Sequence, residues 1–286
     1  MTGQQQQRFA RRNHGTGHGY TLDGHEIPGV TTIIGLLDKP ALVNWAAEQS
    51  ASYAVENWCR LSELPLMERA KQIRNARFAK NRQATTKGTR IHAMAERLQA
   101  GEPVESIDVP LTVESQVQAV ARFLDDWQMQ PVCAEAPLCN TGYRYGGTLD
   151  SIVTSPRLGT ILMDWKTGKG VYDEAALQLA AYRAADLTLT EKATVGPRGG
   201  RKTSWVEQPM PEVDGCYVAH VLTDSIELHP ITADEQVLTA FLYLREVYDL
   251  WTTRTGWRFR DTPGYAPTVG APIYPEDKPV KEQDDE

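Results

Sequence analysis

Two aspartates, a lysine, a glutamine and a tyrosine fall between positions 150 and 182: Asp150, Asp164, Lys166, Gln178 and Tyr182. These types do chemistry together only if folding brings them to one spot. Two strand-like runs, 145–154 and 160–166, flank Ser155-Pro156-Arg157-Leu158-Gly159, a turn signal. A hairpin centred on Arg157 sets Asp150 across from Asp164. Alternation then gives Asp164 and Lys166 one face and Met163 and Trp165 the other. Like charges directly opposed destabilise a plain sheet. A divalent cation between the carboxylates removes that conflict, and the neighbouring lysine can hold an attacking water or a phosphate oxygen. The set predicts metal-assisted phosphodiester hydrolysis, with magnesium or manganese as the ion because the donors are oxygens. Gln178 and Tyr182, four apart, share one face of a helix.

The elements that must position these residues follow from pattern. Residues 1–13 are Gln/Arg-rich and read as disordered; β segments follow over 20–34, around the turn pair Asp23-Gly24. Pro40 opens a helix towards Cys59, and further helical runs cover 66–82, 86–100 and 113–127, with Gly101 as a stop. The pattern turns to β at 132–138 and through the hairpin, then to helix over 173–185. Strands are expected at 213–222 and 225–228, and Thr232 with Glu235 forms a capping box for a helix towards Trp257. Gly196-Pro-Arg-Gly-Gly-Arg201-Lys202-Thr203 imitates a phosphate loop, but Arg201 stands where glycine is required, so it reads as a basic loop. The order predicts an α/β fold around a mixed sheet. Four parts are expected: an N-terminal segment over 1–28, partly disordered, a helical portion over 29–130, a catalytic core over 131–260, and an extended acidic tail over 261–286.

Charge is distributed unevenly. The net charge of −7 excludes a general DNA-coating protein. Yet Arg69, Lys71, Arg74, Arg77, Lys80, Arg82, Lys87 and Arg90 run without an intervening acid and lead into His92. Such a stripe can track a phosphate backbone, and Arg74, Arg77, Lys80, Arg82, Lys87 and Arg90 are the candidate nucleic-acid contacts. No apolar run reaches the roughly 20 residues needed to span a bilayer, and no apolar signal core opens the chain, which predicts a cytoplasmic protein (host cytoplasm if phage-encoded) with no membrane partner.

The ordered set Gly-Thr-Leu-Asp150, Asp164-Trp165-Lys166 and Gln178-x-x-x-Tyr182, with His92 upstream in Lys87-Gly-Thr-Arg-Ile-His92, resembles the active site of the PD-(D/E)XK nuclease superfamily, RecB-like exonuclease branch. Gly29-Val-Thr-Thr-Ile-Ile34 followed by Leu42-Val-Asn-Trp45 is similar to the opening of phage members. CRISPR-associated adaptation nucleases and the mitochondrial genome-maintenance exonuclease share the pattern. The resemblance implies a restriction-endonuclease-like central mixed sheet flanked by helices, with an N-terminal helical portion. It implies a metal shell of His92, Asp150, Asp164 and the Trp165 carbonyl, catalysis by Lys166, and Gln178 with Tyr182 orienting that lysine. Glu135, Glu96, Thr167 and Lys169 are weaker candidates. Some relatives carry an iron–sulfur cluster, which needs three cysteines near the C-terminus. No cysteine follows Cys216, so no cluster is expected. The implied activity is a magnesium- or manganese-dependent DNA exonuclease in phage or bacterial recombination, replication or repair. It would act on single-stranded DNA or free ends, with a recombination or replication protein as partner. The alternatives are a structure-specific endonuclease and a non-catalytic nucleic-acid-binding protein on a nuclease scaffold. Circular single-stranded DNA separates an endonuclease, which cuts it, from an obligate exonuclease, which does not.

Overall fold

Runs of β-branched and aromatic residues between 130 and 231 build one seven-stranded sheet. The computed structural model describes residues 7–14, 17–195 and 201–254, divided into two compact units, Met1–Leu242 and Tyr243–Glu286. In the main sheet lie β4 (Gln130–Asn140), β5 (Tyr145–Ser155), β6 (Gly159–Lys166), β7 (Leu187–Val195), β8 (Arg201–Pro209), β9 (Gly215–Val221) and β10 (Ile226–Ile231). Their order is β10-β9-β6-β5-β4-β7-β8. β6 and β9 run parallel and the other neighbours antiparallel, so the sheet is mixed, as the sequence predicts. A smaller sheet holds β1 (Phe9–His14), β2 (Gly17–Leu22) and β3 (His25–Ile27). The helices are α1 (Val30–Ile34), α2 (Pro40–Glu56), α3 (Trp58–Ser62), α4 (Leu66–Gln99), α5 (Glu114–Asp126), α6 (Glu174–Arg183) and α7 (Glu235–Arg254). In the second unit, Arg245 pairs with Asp249 one helical turn on at 2.7 Å.

The expected hairpin forms with the expected register. β5 and β6 pair from Ser155↔Gly159 back to Ser151↔Met163, symmetric about Arg157. Val153, Ile161, Met163 and Trp165 pack in one buried cluster with Val117, Val120 and Phe123 of α5 and Ile91 and Ala95 of α4. On α5 the buried set Gln116, Val117, Ala119, Val120, Phe123 and Leu124 recurs at three- and four-residue intervals, the stripe that a helix lays on a sheet. The glycine pair Gly146-Gly147 in β5 admits one tyrosine at each residue. A Cβ on Gly146 would lie 2.7 Å from the Tyr20 ring, and one on Gly147 would lie 2.5 Å from the Tyr182 ring.

Five local expectations are corrected. Residues 30–34, read within β segments, form the helix α1. Residues 9–13, read as disordered, lie in β1: Phe9 is fully buried, stacks on Tyr20 with centroids 6.1 Å apart, and donates its backbone N–H to Glu207 at 2.7 Å. Polar composition hid a strand whose one large apolar residue finds a partner. The helices expected over 66–82 and 86–100 are one 34-residue helix, α4, because no proline interrupts them. Gly88 sits inside it where the helix passes β6; a Cβ there would meet Thr167 Oγ1 at 2.8 Å. The helix stops before Gly101, whose φ of +85° is the left-handed turn expected of it. Arg201 to Thr203, read as loop, open β8, which pairs with β7. Finally, α7 is capped by Asp234, whose Oδ1 accepts the Val237 N–H at 3.0 Å, rather than by Thr232 with Glu235. The end of that helix near Trp257, the tail over 261–286 and the glycine-rich turn at 196–200 lie outside the described residues.

Candidate active site

The β5–β6 ladder ends at Ser151↔Met163, and one step further a side chain replaces the strand. Asp150 Oδ2 accepts the Trp165 backbone N–H at 2.9 Å. Continuing the register puts Asp150 across from Asp164, the opposition the hairpin reading expects. Alternation then separates β6 as expected. Met163 and Trp165 enter the cluster with α5, while Asp164 and Lys166 meet α6.

Gln178 of α6 ties the β6 pair together with a single carboxamide. Its Nε2 donates to Asp164 Oδ1 at 2.9 Å, and its Oε1 accepts from Lys166 Nζ at 3.4 Å. One turn on, Tyr182 Oη accepts from the same Nε2 at 3.4 Å. Tyr182 is buried, and burial pushes its hydroxyl well above the usual phenol range, so it stays a neutral prop. Lys166 Nζ lies 2.5 Å from Asp164 Oδ2. That oxygen is buried yet has no hydrogen bond of good geometry, so one carboxylate lone pair in the site lacks a directed donor. Lys166 and Gln178 also line a cleft of about 140 Å³, with Lys39 held by Glu174 at 2.8 Å on another wall.

His92 reaches the fork from α4. Its Nδ1 stands 3.5 Å from Asp150 Oδ2. Burial lowers the His92 pKa, so the neutral imidazole, the form that binds metals, is favoured and the contact with Asp150 is not an ion pair. Burial, and then the charge of Asp164, push Asp150 up to about 8. A buried aspartate that resists ionisation beside a second one is a place where a cation would relieve a real cost.

Glu135, a weaker candidate from sequence, enters this group. His92, Glu135 and Asp150 each offer a ligand atom, all within 4.8 Å of one another. In the β4–β5 register Ala134 faces Ser151 and Ala136 faces Leu149, so Glu135 stands opposite Asp150. Its φ of +47° is rare for a glutamate within a strand and turns the side chain out of simple alternation. Burial, then Glu96, raise its pKa as well. Asp164 lies outside that threesome and is held by Gln178 and Lys166, so the structure groups His92 and Asp150 with Glu135 where the expected shell has Asp164. The imidazole and two carboxylates of that threesome make an oxygen-rich donor set of the kind that fits magnesium or manganese.

The basic run divides by geometry. Arg74, Arg77, Arg82, Lys87 and Arg90 are exposed on α4, and no ion pair among the described residues uses them; the side chain of Lys80 lies outside the described residues. At about 100° per residue, the eighteen positions from Arg74 to His92 make five whole turns. Arg74 therefore projects from the same side of α4 as His92, about 27 Å along the axis, with Arg77 roughly 60° away. Arg82 lies roughly 80° to the other flank and Arg90 roughly 160° away, so the stripe is a broad arc rather than a line. Thr167 packs at Gly88. The cysteines are all free thiols, and no helix among the described residues is long and apolar enough to cross a membrane. No family model matches the chain, and no curated protein matches its sequence.

Proposed function

We propose that this chain is a divalent-metal-dependent deoxyribonuclease of the PD-(D/E)XK type, with a restriction-endonuclease-like core, most similar in its site to RecB-like exonucleases. The observation that carries the reading is the convergence of His92, Asp150, Asp164, Lys166 and Gln178, from three separate parts of the chain, around the end of the β5–β6 ladder. A purely structural ion pair does not need a second buried aspartate, and that aspartate is the costly part of the arrangement.

His92, Glu135, Asp150 and Asp164, with the Trp165 carbonyl, would hold magnesium or manganese. When bound, the ion supplies Lewis-acid polarisation of the scissile phosphate and a water of lowered pKa. The chain's own groups do the rest. Lys166, half-exposed towards the cleft, offers a positive charge to the phosphate oxygen on which negative charge grows. Gln178 fixes that lysine relative to Asp164, so little reorganisation is needed at the moment of attack. Tyr182, locked between Gly147 and Gln178, keeps the carboxamide from rotating. Arg74 and Arg77, on the His92 side of α4, offer a backbone-tracking surface leading to the site. DNA is the partner, as a single strand or a free end.

The test is digestion of end-labelled linear and circular single-stranded DNA with magnesium or manganese, using Asp164→Asn as the control for contaminating nucleases. Linear DNA should shorten from its ends, circular DNA should survive, and chelator or Asp164→Asn should stop the reaction. Cleavage of the circle would assign an endonuclease. Absence of hydrolysis of either substrate, or full activity in Asp164→Asn, would remove the nuclease reading.

A further inference from the structure

Three metal-ligating side chains lie on one face of the β9–β10 hairpin, apart from the site above. Glu227 sits directly across from His220 in the antiparallel register. His229, two residues beyond Glu227, returns to the same face by alternation. His229 Nε2 is 3.3 Å from Glu227 Oε2, and His220 Nδ1 is 3.6 Å from the same oxygen. All three ligand atoms lie within 4.8 Å of one another. Nitrogen and oxygen donors bound about 2.0–2.1 Å from a tetrahedral ion stand roughly 3.3–3.4 Å apart. The two measured edges are therefore close to those of a filled tetrahedron.

The tautomer is fixed as well. His220 Nε2 is 2.9 Å from the Gly168 carbonyl, which can only accept, so Nε2 carries the hydrogen. In the neutral ring, Nδ1 then presents its lone pair towards Glu227. Two acceptors facing each other repel unless a proton or a cation lies between them. An imidazole that donates its far N–H to a backbone carbonyl while its near nitrogen faces a carboxylate is the usual outer support of a metal-bound histidine. His220 is almost wholly buried, whereas the side chains of Glu227 and His229 are 55% and 42% exposed, so an ion can enter from solvent.

We propose that His220, Glu227 and His229 bind a zinc-class divalent transition metal, with water in the fourth position, and that this ion stiffens the loop after β6. That loop starts at Thr167, directly after Lys166. A Cβ on Gly168 would find only the Gly170 carbonyl, at 4.0 Å, and one on Gly170 would find nothing within 4 Å. The His220 hydrogen bond to Gly168 is therefore a tether in a segment with little packing. His220 also pairs with Lys166 in the parallel β6–β9 register, so the tether lies beside the catalytic strand. The proposal does not depend on the nuclease reading, because the donor set shares no residue with the first site.

Zinc content after equilibrium dialysis, in excess magnesium to fill the oxygen-rich site, tests it. Wild type should retain one equivalent per chain, and cobalt(II) in place of zinc should give the intense visible bands of tetrahedral coordination. His229→Gln and Glu227→Gln, both at exposed positions, should lose the equivalent and the bands, while His92→Ala should keep both. Zinc should also raise the unfolding temperature of wild type but not of His229→Gln. Equal zinc retention by wild type and the two β10 variants would overturn the proposal, as would retention by none of the proteins.

Discussion

Asp150→Asn isolates the cost of crowding two buried carboxylates at the end of the β5–β6 ladder. The carboxamide oxygen can still accept the Trp165 N–H, so the backbone contact survives while the charge is removed. In the metal-free wild type the Asp150 pKa is raised from an ordinary 3.8 to about 8, first by burial and then by Asp164. A raised folded-state pKa contributes stability that is complete below the unfolded value and is lost as pH rises through the folded one. Between those limits unfolding releases one proton, and stability falls by about 1.4 kcal/mol per pH unit. Over the two units from pH 5 to pH 7 this amounts to roughly 2–3 kcal/mol. The carboxamide of the variant carries no such proton. The stability of Asp150→Asn relative to wild type should therefore rise by that amount across the window. Urea unfolding of both proteins in chelator, at pH 5, 6 and 7, measures it, and taking the difference cancels groups common to both. Saturating magnesium should remove most of the pH dependence of the difference, because a bound cation favours the ionised aspartate. Parallel stability curves in chelator would refute the claim that Asp150 is held protonated beside Asp164.

Other substitutions test other parts of the argument. Lys166→Ala leaves the carboxylates in place, so calorimetric metal binding should persist or tighten while single-turnover cleavage falls about a hundredfold, on the order of 3 kcal/mol in the barrier. Near wild-type cleavage would reduce this lysine to an ion-pair partner. Gly147→Ala pushes a methyl group into the Tyr182 ring and should cost about 1–3 kcal/mol in urea unfolding, with Gly147→Ala/Tyr182→Phe no better because the ring remains. Replacing Arg74 and Arg77 by Gln should weaken single-strand binding for all sequences alike and flatten the log–log salt slope by about 0.7 for each lost phosphate contact. An unchanged slope would make them ordinary solvated charges.

The β5–β6 strand pair was legible because its signals are local. The turn at 155–159 fixes the register, the period of two fixes which side chains share a face, and the four-residue step from Gln178 to Tyr182 fixes a helix face. Glu135 carried no such signal, since a lone glutamate in a strand has no period to betray it. Its place depends on the β4–β5 register and on a left-handed backbone that composition does not reveal. The joining of two expected helices into α4 was hidden by the polar run from Asn81 to Thr86, which carries no apolar period, while Gly88, inside the second of them, allows close passage of Thr167. The β1 strand was masked in the same way, by charged neighbours around a single buried phenylalanine. In each case a tertiary contact overrode local preference. The histidines of β9 and β10 are close in sequence, yet only the antiparallel register makes His220, Glu227 and His229 a group.

Trp165 belongs to two environments at once. Its backbone amide serves Asp150, while its indole lies edge-on to Phe123, 5.9 Å between centroids, in the cluster beneath α5. The peptide unit between the two carboxylates therefore cannot drift unless a large ring moves within a close-packed interior. The site inherits its rigidity from the opposite face of the sheet. The same link narrows the freedom of apparently remote positions. A change of shape at Phe123, far in sequence from any acidic residue of the site, acts on the one residue whose main chain spans it. Drift in the interior would then be felt as lost alignment of the acidic residues before it was felt as lost fold.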